Sequence, residues 1–402
     1  DIYISKALET EVPIYLIDGV PIRNTGIYSS NTHTDLEKYA FFCMAAFEMC
    51  RKLDWKPDIL HAHDWHAALS VKKLAQIRAY DPFFQGTKSL YTIHNLPYSG
   101  GNHPDILDLY DIPPAFDLDI PYYLRSLPMA IGLDAADHIS TVSKTYAEEI
   151  TTEAFGHGYQ TFLRNNRHKL SGIVNGIMMD QWNPEIDKVI YQPFSGKTLE
   201  KRAENKRRIQ EDFNLPQNPD IPLFVMVGRM TYQKGFDLCI QAFKQMYDIN
   251  WQAIILGTGE EAVQRSCVEL ERSNPDRVRA VIKFDSPLSR KLYASGDMFL
   301  MPSRYEPCGI AQMISMLYGC IPVACATGGL KDTIKDPFDH PKDYTGFLFN
   351  NADVGGAEWA MRRSIEYYYD KENWRKLQLR GMKQDFSWEK QALQYLKLYK
   401  SL

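Results

Sequence analysis

The sequence lacks the features that mark membrane proteins, exported proteins and nucleic-acid-coating proteins. It contains no run of about 18 consecutive apolar residues, the length that a membrane-spanning helix needs. Its first residues lack the basic and apolar regions of a signal peptide. The formal net charge is only -4, so local charges must hold any anionic ligand. We therefore expect neither a membrane nor a nucleic acid as a partner.

Cysteine is also sparse and unpatterned. The seven cysteines are an odd number, are scattered over both halves and form no CxxC pair. A secreted disulfide framework would show an even number at regular spacings. The pattern therefore favours a reducing compartment.

The 402 residues are too many for one core, because single cores stop growing near roughly 250 to 300 residues. Short apolar runs rich in β-branched residues recur, each followed by a helical stretch, which is typical of parallel strands joined by crossover helices. Both halves therefore read as doubly wound, Rossmann-like α/β sheets that face each other across a cleft. The predicted strands are residues 14–17, 59–63, 90–94, 138–142 and 173–175, then 223–227, 253–256, 280–284, 298–301, 321–324 and 346–349.

The domain boundary is predicted next to Pro184, which interrupts regular structure. An N-terminal domain then spans residues 1–183, and a C-terminal domain spans residues 184–386. A final amphipathic helix, residues 387–402, begins where Ser387 can cap it. This helix either packs locally or crosses back to the first domain.

Two cations follow the predicted strand 223–227. Arg229 and Lys234 stand next to a helix that starts at Phe236. A helix N-terminus with Arg and Lys beside it suits a diphosphate. The alternative is that both are solvated loop cations.

A carboxylate follows the strand 298–301. Glu306 can accept hydrogen bonds from sugar hydroxyls, and Cys308 and Gly309 can present main-chain N–H groups. The next strand ends in the glycine pair Gly328 and Gly329, which lets backbone approach a ligand closely. A solvent-facing glutamate in a proline turn is the alternative.

The first half places three histidines and an aspartate at the end of the strand 59–63. Strand alternation puts His61 and His63 on the same face. A zinc site is the alternative, but no glutamate-bearing helix follows, so one histidine is expected to point into the cleft as a hydrogen-bonding group. Asn95 and Asn175 also follow strand ends, which indicates a polar ligand lined from both domains.

The motifs, taken in the order in which they occur along the chain, resemble those of bacterial and plant glycogen and starch synthases. The resemblance extends from about Pro13 to the C-terminus. The run Glu306-Pro307-Cys308-Gly309 separates this family from other GT-B enzymes such as sucrose-type or trehalose-type synthases. The matching segments are residues 61–66, 92–95, 141–143, 175–177, 228–235, 303–309 and 327–333.

The resemblance implies the GT-B fold and a retaining glucosyltransferase. The enzyme would transfer glucose from ADP-glucose to the non-reducing end of an α-1,4-glucan such as glycogen, amylopectin, amylose or a malto-oligosaccharide, without a metal or other cofactor. The choice of ADP over UDP rests on the resemblance alone. The localisation would be the bacterial cytoplasm or, in a plant, the plastid stroma.

The resemblance also assigns roles to residues. Arg229 and Lys234 would neutralise the leaving diphosphate, and Glu306 and His63 would hold the glucosyl hydroxyls. These four form the predicted catalytic set. The predicted substrate-binding residues are Asn95, Asn175, Tyr305, Cys308, Gly309, Thr327, Gly328 and Gly329.

The sequence departs from the family pattern in several places. No Lys-Thr-Gly-Gly-Leu loop precedes Pro13, so the chain is expected to be N-terminally incomplete relative to the family. Cys325 stands where an arginine is usual, and Lys144 where a proline is usual. These departures leave a rival reading open, that of a catalytically weak glucan-binding or regulatory protein.

Overall fold

The computed structural model of the protein describes residues 1–7, 10–23 and 26–402. The chain divides into two compact units, Asp1–Ile173 with Tyr395–Leu402, and Val174–Gln394. The first unit thus ends before the boundary that the sequence suggested, and the last residues of the C-terminal helix belong to it. Among the described residues, no helix is both long enough and apolar enough to cross a bilayer.

The first unit is built on a four-stranded parallel sheet with the order β3-β4-β5-β6. A separate pair of strands, β1 and β2, is antiparallel. The strands are β1 Ile2–Lys6, β2 Pro13–Ile17, β3 Ile59–His63, β4 Lys88–Ile93, β5 His138–Thr141 and β6 Leu170–Gly172. The helices are α1 Thr32–Lys52, α2 Asp64–Ile77, α3 Pro104–Leu109, α4 Pro128–Ala135, α5 Lys144–Glu149 and α6 Gln160–Asn165.

One strand prediction in this unit is wrong, and another is right in its position but wrong in its pairing. Residues 14–17 do form a strand, but it pairs antiparallel with β1, and Lys6 forms an ion pair with Glu11 near the connection. Residues 173–175 lie beyond β6: the N–H of Ile173 still donates to the carbonyl of Thr141, at 2.8 Å, and the ladder then ends because β5 itself ends there. Short apolar runs alone did not reveal either outcome.

The second unit is a doubly wound sheet of six parallel strands in the order β12-β11-β10-β7-β8-β9. The strands are β7 Leu223–Met230, β8 Gln252–Gly259, β9 Val278–Ile282, β10 Met298–Met301, β11 Ile321–Cys325 and β12 Phe347–Phe349. The helices are α7 Arg202–Asp212, α8 Phe236–Gln245, α9 Glu261–Ser273, α10 Ser286–Ser295, α11 Ala311–Leu317, α12 Gly328–Thr333, α13 Val354–Tyr369 and α14 Lys371–Met382. Helix α15, Trp388–Ser401, begins in this unit, and its residues from Tyr395 onward belong to the first unit. Single 3-10 turns lie at Tyr122–Leu124 and Arg167–Lys169 in the first unit and at Tyr232–Lys234 in the second. A longer 3-10 helix in the second unit spans Gly196–Lys201.

The strand order places a topological switch point between β7 and β10, where successive crossovers run in opposite directions. Strand β10 and the first half of β7, Leu223–Met226, are buried and apolar, as expected for a parallel sheet covered by helices on both faces. Ligands of such sheets bind outside the carboxyl ends of the strands at the switch point. The loops that follow β7 and β10 are therefore the first place to look for a site.

A buried ionic cluster secures the opposite, amino-terminal end of β10. Lys206 donates to Asp297 at 2.6 Å, and Asp297 also accepts the N–H of Leu223 at 2.9 Å. Desolvation lowers the pKa of Lys206. A buried charge is tolerated only when it is paired and hydrogen-bonded, so this cluster fixes α7 against β7 and β10.

Candidate active site

The loops after β7 and β10 interlock through their backbones. The N–H of Arg304 donates to the carbonyl of Gln233 at 2.8 Å, and the Gln233 side chain donates to the carbonyl of Tyr305 at 3.2 Å. Gly235 has φ +66°, and a Cβ there would lie 2.0 Å from the carbonyl oxygen of Pro302. Only glycine allows this approach, so the sequence Lys234-Gly235 is tied to the β10 loop.

Arg304 is a second link that the sequence reading did not single out. Its guanidinium donates two bonds to Asp237, at 2.8 and 2.7 Å, and lies 3.7 Å from the centre of the Tyr232 ring. An arginine that forms two hydrogen bonds to a carboxylate and stacks on a ring in this way positions protein groups rather than binding a ligand. Arg304 therefore fixes the relative position of the two loops.

The interlocked loops bring Lys234 and Glu306 into contact. The Lys234 Nζ lies 2.5 Å from Glu306 Oε2, and Ser303 Oγ donates to the same oxygen at 3.0 Å. Glu306 is buried, whereas Lys234 is partly exposed. Glu306 Oε1 has no hydrogen-bond partner among the described residues, so it remains open to a ligand donor.

A cavity of about 370 Å³ opens above this pair, and residues of the second unit line it. Arg229 is exposed at its wall and forms no ion pair with any described residue. The wall includes these predicted site residues: Asn175, Arg229, Lys234, Glu306, Cys308 and Gly309. Tyr305, also predicted, is not part of this wall.

The predicted glycine turn packs against the loop that carries Glu306. The N–H of Gly329 donates to the carbonyls of Glu306 and Pro307, at 3.1 and 3.2 Å. Gly328 has φ +44°, and a Cβ on Gly329 would lie 2.1 Å from the carbonyl oxygen of Cys308. The Gly329 amide is therefore used within the fold, and contact of Thr327, Gly328 and Gly329 with a donor sugar stays a prediction.

Cys308 is a buried thiol rather than a nucleophile. Burial raises its pKa to about 12, while a hydrogen bond with the backbone of Asn175 acts in the opposite direction. A thiol with such a pKa is protonated near neutrality. Its contribution is to shape the cavity floor and to hold Asn175 at the edge of the cavity.

In the first unit, histidine rings gather at the ends of β3 and β4. His61 lies between Thr92 Oγ1 and the Tyr399 hydroxyl, 2.7 Å from each, and desolvation with the nearby His63 lowers its pKa to about 3. His63 Nδ1 lies 2.9 Å from His94 Nε2. Desolvation and then His94 lower the pKa of His63 to about 4. Both rings are therefore neutral at physiological pH.

Asp64 joins the two strand ends. Its Oδ1 accepts the N–H of His94 at 2.7 Å and the N–H of Asn95 at 3.3 Å. Its own backbone has φ +51°, a left-handed conformation that aspartate tolerates better than most residues. Asn95 Oδ1 is buried without a hydrogen-bond partner among the described residues. His63 and Asn95 thus come together at the carboxyl edge of the first sheet.

The zinc alternative finds no counterpart in the described part of the chain. There, no group of three or more His, Cys, Asp or Glu side chains is arranged to hold a metal ion. The rings of His61 and His63 instead contact each other, with centroids 4.1 Å apart and planes tilted by 35°. The two rings are held by hydrogen bonds to other protein groups.

Comparisons with known proteins agree with this reading. A model of the starch synthase catalytic domain matches residues 1–165, and a model of glycosyl transferases group 1 matches residues 207–377. The first match starts at residue 1, upstream of the expected start of the resemblance near Pro13. A glycogen synthase of Bacillus cereus (strain Q1) is 38% identical over 99% of this chain and 84% of its own length. One of Clostridium perfringens is 39% identical over 98% of this chain and 82% of its own length.

Solved structures give the same result. The catalytic domain of starch synthase IV from Arabidopsis thaliana, bound to ADP and acarbose, is 32% identical and superimposes with a TM-score of 0.89, covering 100% of this chain and 84% of that one. A sucrose-phosphate synthase from Thermosynechococcus elongatus, 21% identical with a TM-score of 0.62, shares the fold. Nothing in these comparisons supports the rival reading of a catalytically weak glucan-binding or regulatory protein. The chain therefore belongs to the glycogen and starch synthases, a family of glycosyltransferases with the GT-B fold.

Proposed function

We propose that this protein transfers glucose from ADP-glucose to the 4-hydroxyl at the non-reducing end of an α-1,4-glucan, with retention of the α configuration. The observation that carries the proposal is the contact of Lys234 with Glu306 at the switch point of the second sheet. One cation and one anion there lie where a sugar and a diphosphate would meet. The relatives support ADP as the nucleotide, because the starch synthase structure holds ADP.

Lys234 and Arg229 act on the leaving group. An ammonium has three donors, and Glu306 takes one of those of Lys234, so two remain for diphosphate oxygens. The bond from the glucosyl C1 to the diphosphate breaks with its electron pair on ADP. Fixed cations at that point stabilise the transition state more than the ground state, in which less charge has developed.

Glu306 and His63 act on the glucosyl group. Glu306 Oε1 is an anionic acceptor for a sugar hydroxyl, and charge-assisted hydrogen bonds of this kind are stronger than neutral ones. His63, with its depressed pKa, serves as a neutral hydrogen-bonding group. The acceptor 4-hydroxyl forms the new bond to C1, and its proton passes to the departing diphosphate, which has gained the electron pair.

The proposal includes no metal ion, because Lys234 and Arg229 supply the positive charge that the diphosphate needs. Its macromolecular partner is a glucan such as glycogen, amylopectin or amylose, and malto-oligosaccharides serve as short acceptors. The bacterial relatives favour the bacterial cytoplasm as its location.

The proposal is tested by incorporation of labelled glucose into glycogen from ADP-glucose and, in parallel, from UDP-glucose. We expect ADP-glucose to be the better donor and the labelled glucose to be released by an α-specific amylase. Preference for UDP-glucose would contradict the donor assignment. Product that resists the α-specific enzyme would contradict retention.

A further inference from the structure

The second unit carries another concave surface that shares no residue with the candidate active site. It is a hollow of about 450 Å³ formed by the segment between α12 and β12 and by helix α13. Its most prominent side chains are Phe338 from that segment and Trp359 from α13. We call this surface the aromatic hollow.

The two aromatic rings are neighbours with parallel planes, and both are exposed to solvent. Phe338 is 72% exposed and Trp359 is 45% exposed. Their centroids are 6.0 Å apart and their planes differ by only 6°. Single exposed aromatics are normal on protein surfaces, but two adjacent, parallel ones form a continuous apolar patch, which we call the platform.

The platform is rigid because a buried ion pair holds it from beneath. Arg363 pairs with Asp336 through two bonds, at 2.9 and 3.0 Å, and its guanidinium lies 4.1 Å from the centre of the Phe338 ring. Asp336 also accepts the N–H of Phe338 at 2.9 Å. The ring is thus fixed by its own backbone and by a cation on its inner face, which lowers the entropic cost of binding.

The charges around the hollow favour a neutral, hydroxyl-rich ligand. Arg362 is neutralised by Asp248 and Glu358, each at 2.8 Å, and Arg363 by Asp336. Glu366 is exposed and has no ion pair or side-chain hydrogen bond among the described residues. Among the described residues that line the hollow, no cation lacks an anionic partner, so nothing there would attract a phosphate. Glu366, in contrast, can accept hydrogen bonds from hydroxyls.

We propose that the aromatic hollow binds a chain of α-1,4-linked glucose at a point separate from the reaction. The C–H faces of glucose rings are apolar and pack flat on aromatic rings, and Glu366 beside them accepts sugar hydroxyls. Two rings and their rim are far smaller than the roughly 800 Å² per partner that a stable protein interface buries, but they match a few sugar units. The identity of this ligand rests on the proposed function, which makes a glucan the acceptor.

A second attachment point acts on polymers and not on short acceptors. It holds a long chain to the enzyme between encounters and so raises the effective concentration of chain ends. Removing the platform should raise the KM for glycogen and leave the kinetics with maltotriose unchanged. This difference separates a binding role of the rings from a role in folding.

The test uses the full protein and the variants Trp359→Ala and Phe338→Ala in native gels that contain glycogen. Tyr247→Ala removes a comparably exposed ring, 84% exposed, that is not part of the hollow, and Trp359→Tyr keeps a flat ring. We expect each alanine variant of the hollow to weaken retardation by glycogen and to raise the KM for glycogen about fivefold, the size of one aromatic contact. Tyr247→Ala and Trp359→Tyr should behave like the unaltered protein.

Retardation and KM for glycogen that are unchanged in both alanine variants would overturn the inference. So would an equal loss with maltotriose, because that would show damage to the fold or to the active site. Loss of retardation in a protein that transfers no glucose would leave the hollow as a glucan site and contradict the proposed function instead. The two proposals therefore fail separately.

Discussion

In the proposed reaction, the contact between Lys234 and Glu306 would serve both the diphosphate and the sugar. Glu306 would be costly alone, since it is buried and a buried charge needs a partner. Together they place an ammonium beside a carboxylate whose second oxygen is open. The pair is thus stable, and it would still bind a diphosphate through Lys234 and a sugar hydroxyl through Glu306.

Replacement of Lys234 by alanine should lower turnover about 10²- to 10³-fold, the cost of removing one preorganised donor from a transition state. The affinity for the donor should fall less, because charge on the diphosphate grows only as the bond breaks. Saturation kinetics with ADP-glucose check both quantities. Lys244→Ala, an exposed lysine on α8, is the matched control, and a turnover within twofold of the unaltered enzyme in Lys234→Ala would remove Lys234 from the phosphate role.

Glu306→Gln keeps the side chain's size and removes its charge. Turnover should fall by about tenfold or more, because an amide is a weaker acceptor for sugar hydroxyls than a carboxylate. The affinity for ADP should not fall, because Lys234 loses an anionic competitor for the diphosphate. Calorimetry with ADP measures this, and Ser303→Ala, which removes only one uncharged donor to the same oxygen, is the milder comparison. A collapse of ADP affinity would mean that Glu306 organises the nucleotide pocket.

At the residue scale, the sequence predicted the residues that line the cavity of the second unit better than it predicted the side chains that they contact. Strand ends located Arg229, Lys234 and Glu306, because parallel strands end at one edge. It did not predict that Arg304 fixes the two loops, since this role depends on Asp237 in the first turn of α8. Such a pairing arises only from the tertiary structure.

At the scale of the elements, sequence periodicity predicted the strands of the second unit's sheet. It did not predict how the outermost strands of the first unit pair or where they end. Buried apolar runs such as β7 and β10 are distinctive. The strand β2, by contrast, is mostly exposed, so its apolar residues do not report a core. Strand β2 pairs antiparallel with β1, the strand that precedes it in the chain. Strand periodicity cannot reveal such a pairing.

The ends of β3 and β4 make the first unit sensitive to acid. The fold lowers the pKa of His61 to about 3, against an unfolded value near 6.5, so the unfolded chain binds more protons below that pH. Stability contributed by the neutral ring is complete above about pH 6.5 and is lost as the pH falls toward 3, at up to about 1.4 kcal/mol per pH unit. His63, with its pKa near 4, acts in the same direction.

Pulse proteolysis in urea at pH 7 and pH 5, with fragments assigned to the first unit, measures this loss. His61→Gln keeps a donor and an acceptor but does not titrate, so it should reduce the difference between the two pH values. His168→Gln, at an exposed position of the same unit, should leave the difference unchanged. Equal resistance of the unaltered protein at both pH values would contradict the burial of these rings as the cause.

At the scale of the whole molecule, the predicted chemistry is divided between two folding units. The cavity with the cations and Glu306 is lined by residues of the second unit, and that unit has a complete six-stranded sheet. A ligand that binds only the native form of one unit stabilises that unit. Nucleotide binding should therefore act on the two units unequally.

Calorimetry of the full chain with ADP should show this inequality. At an ADP concentration of 100 times Kd, the second unit gains about 2.7 kcal/mol, and its transition should move upward by roughly 5 to 10 °C for a unit of this size. The transition of the first unit should move much less. AMP, which lacks the β-phosphate that Arg229 and Lys234 would hold, is the matched control and should give a smaller shift. Limited proteolysis assigns the transitions, because ADP should protect fragments within residues 174–394. Equal shifts of both transitions would mean that the first unit contributes as much to nucleotide binding as the second, and the assignment of the diphosphate to the β7 and β10 loops would then be wrong.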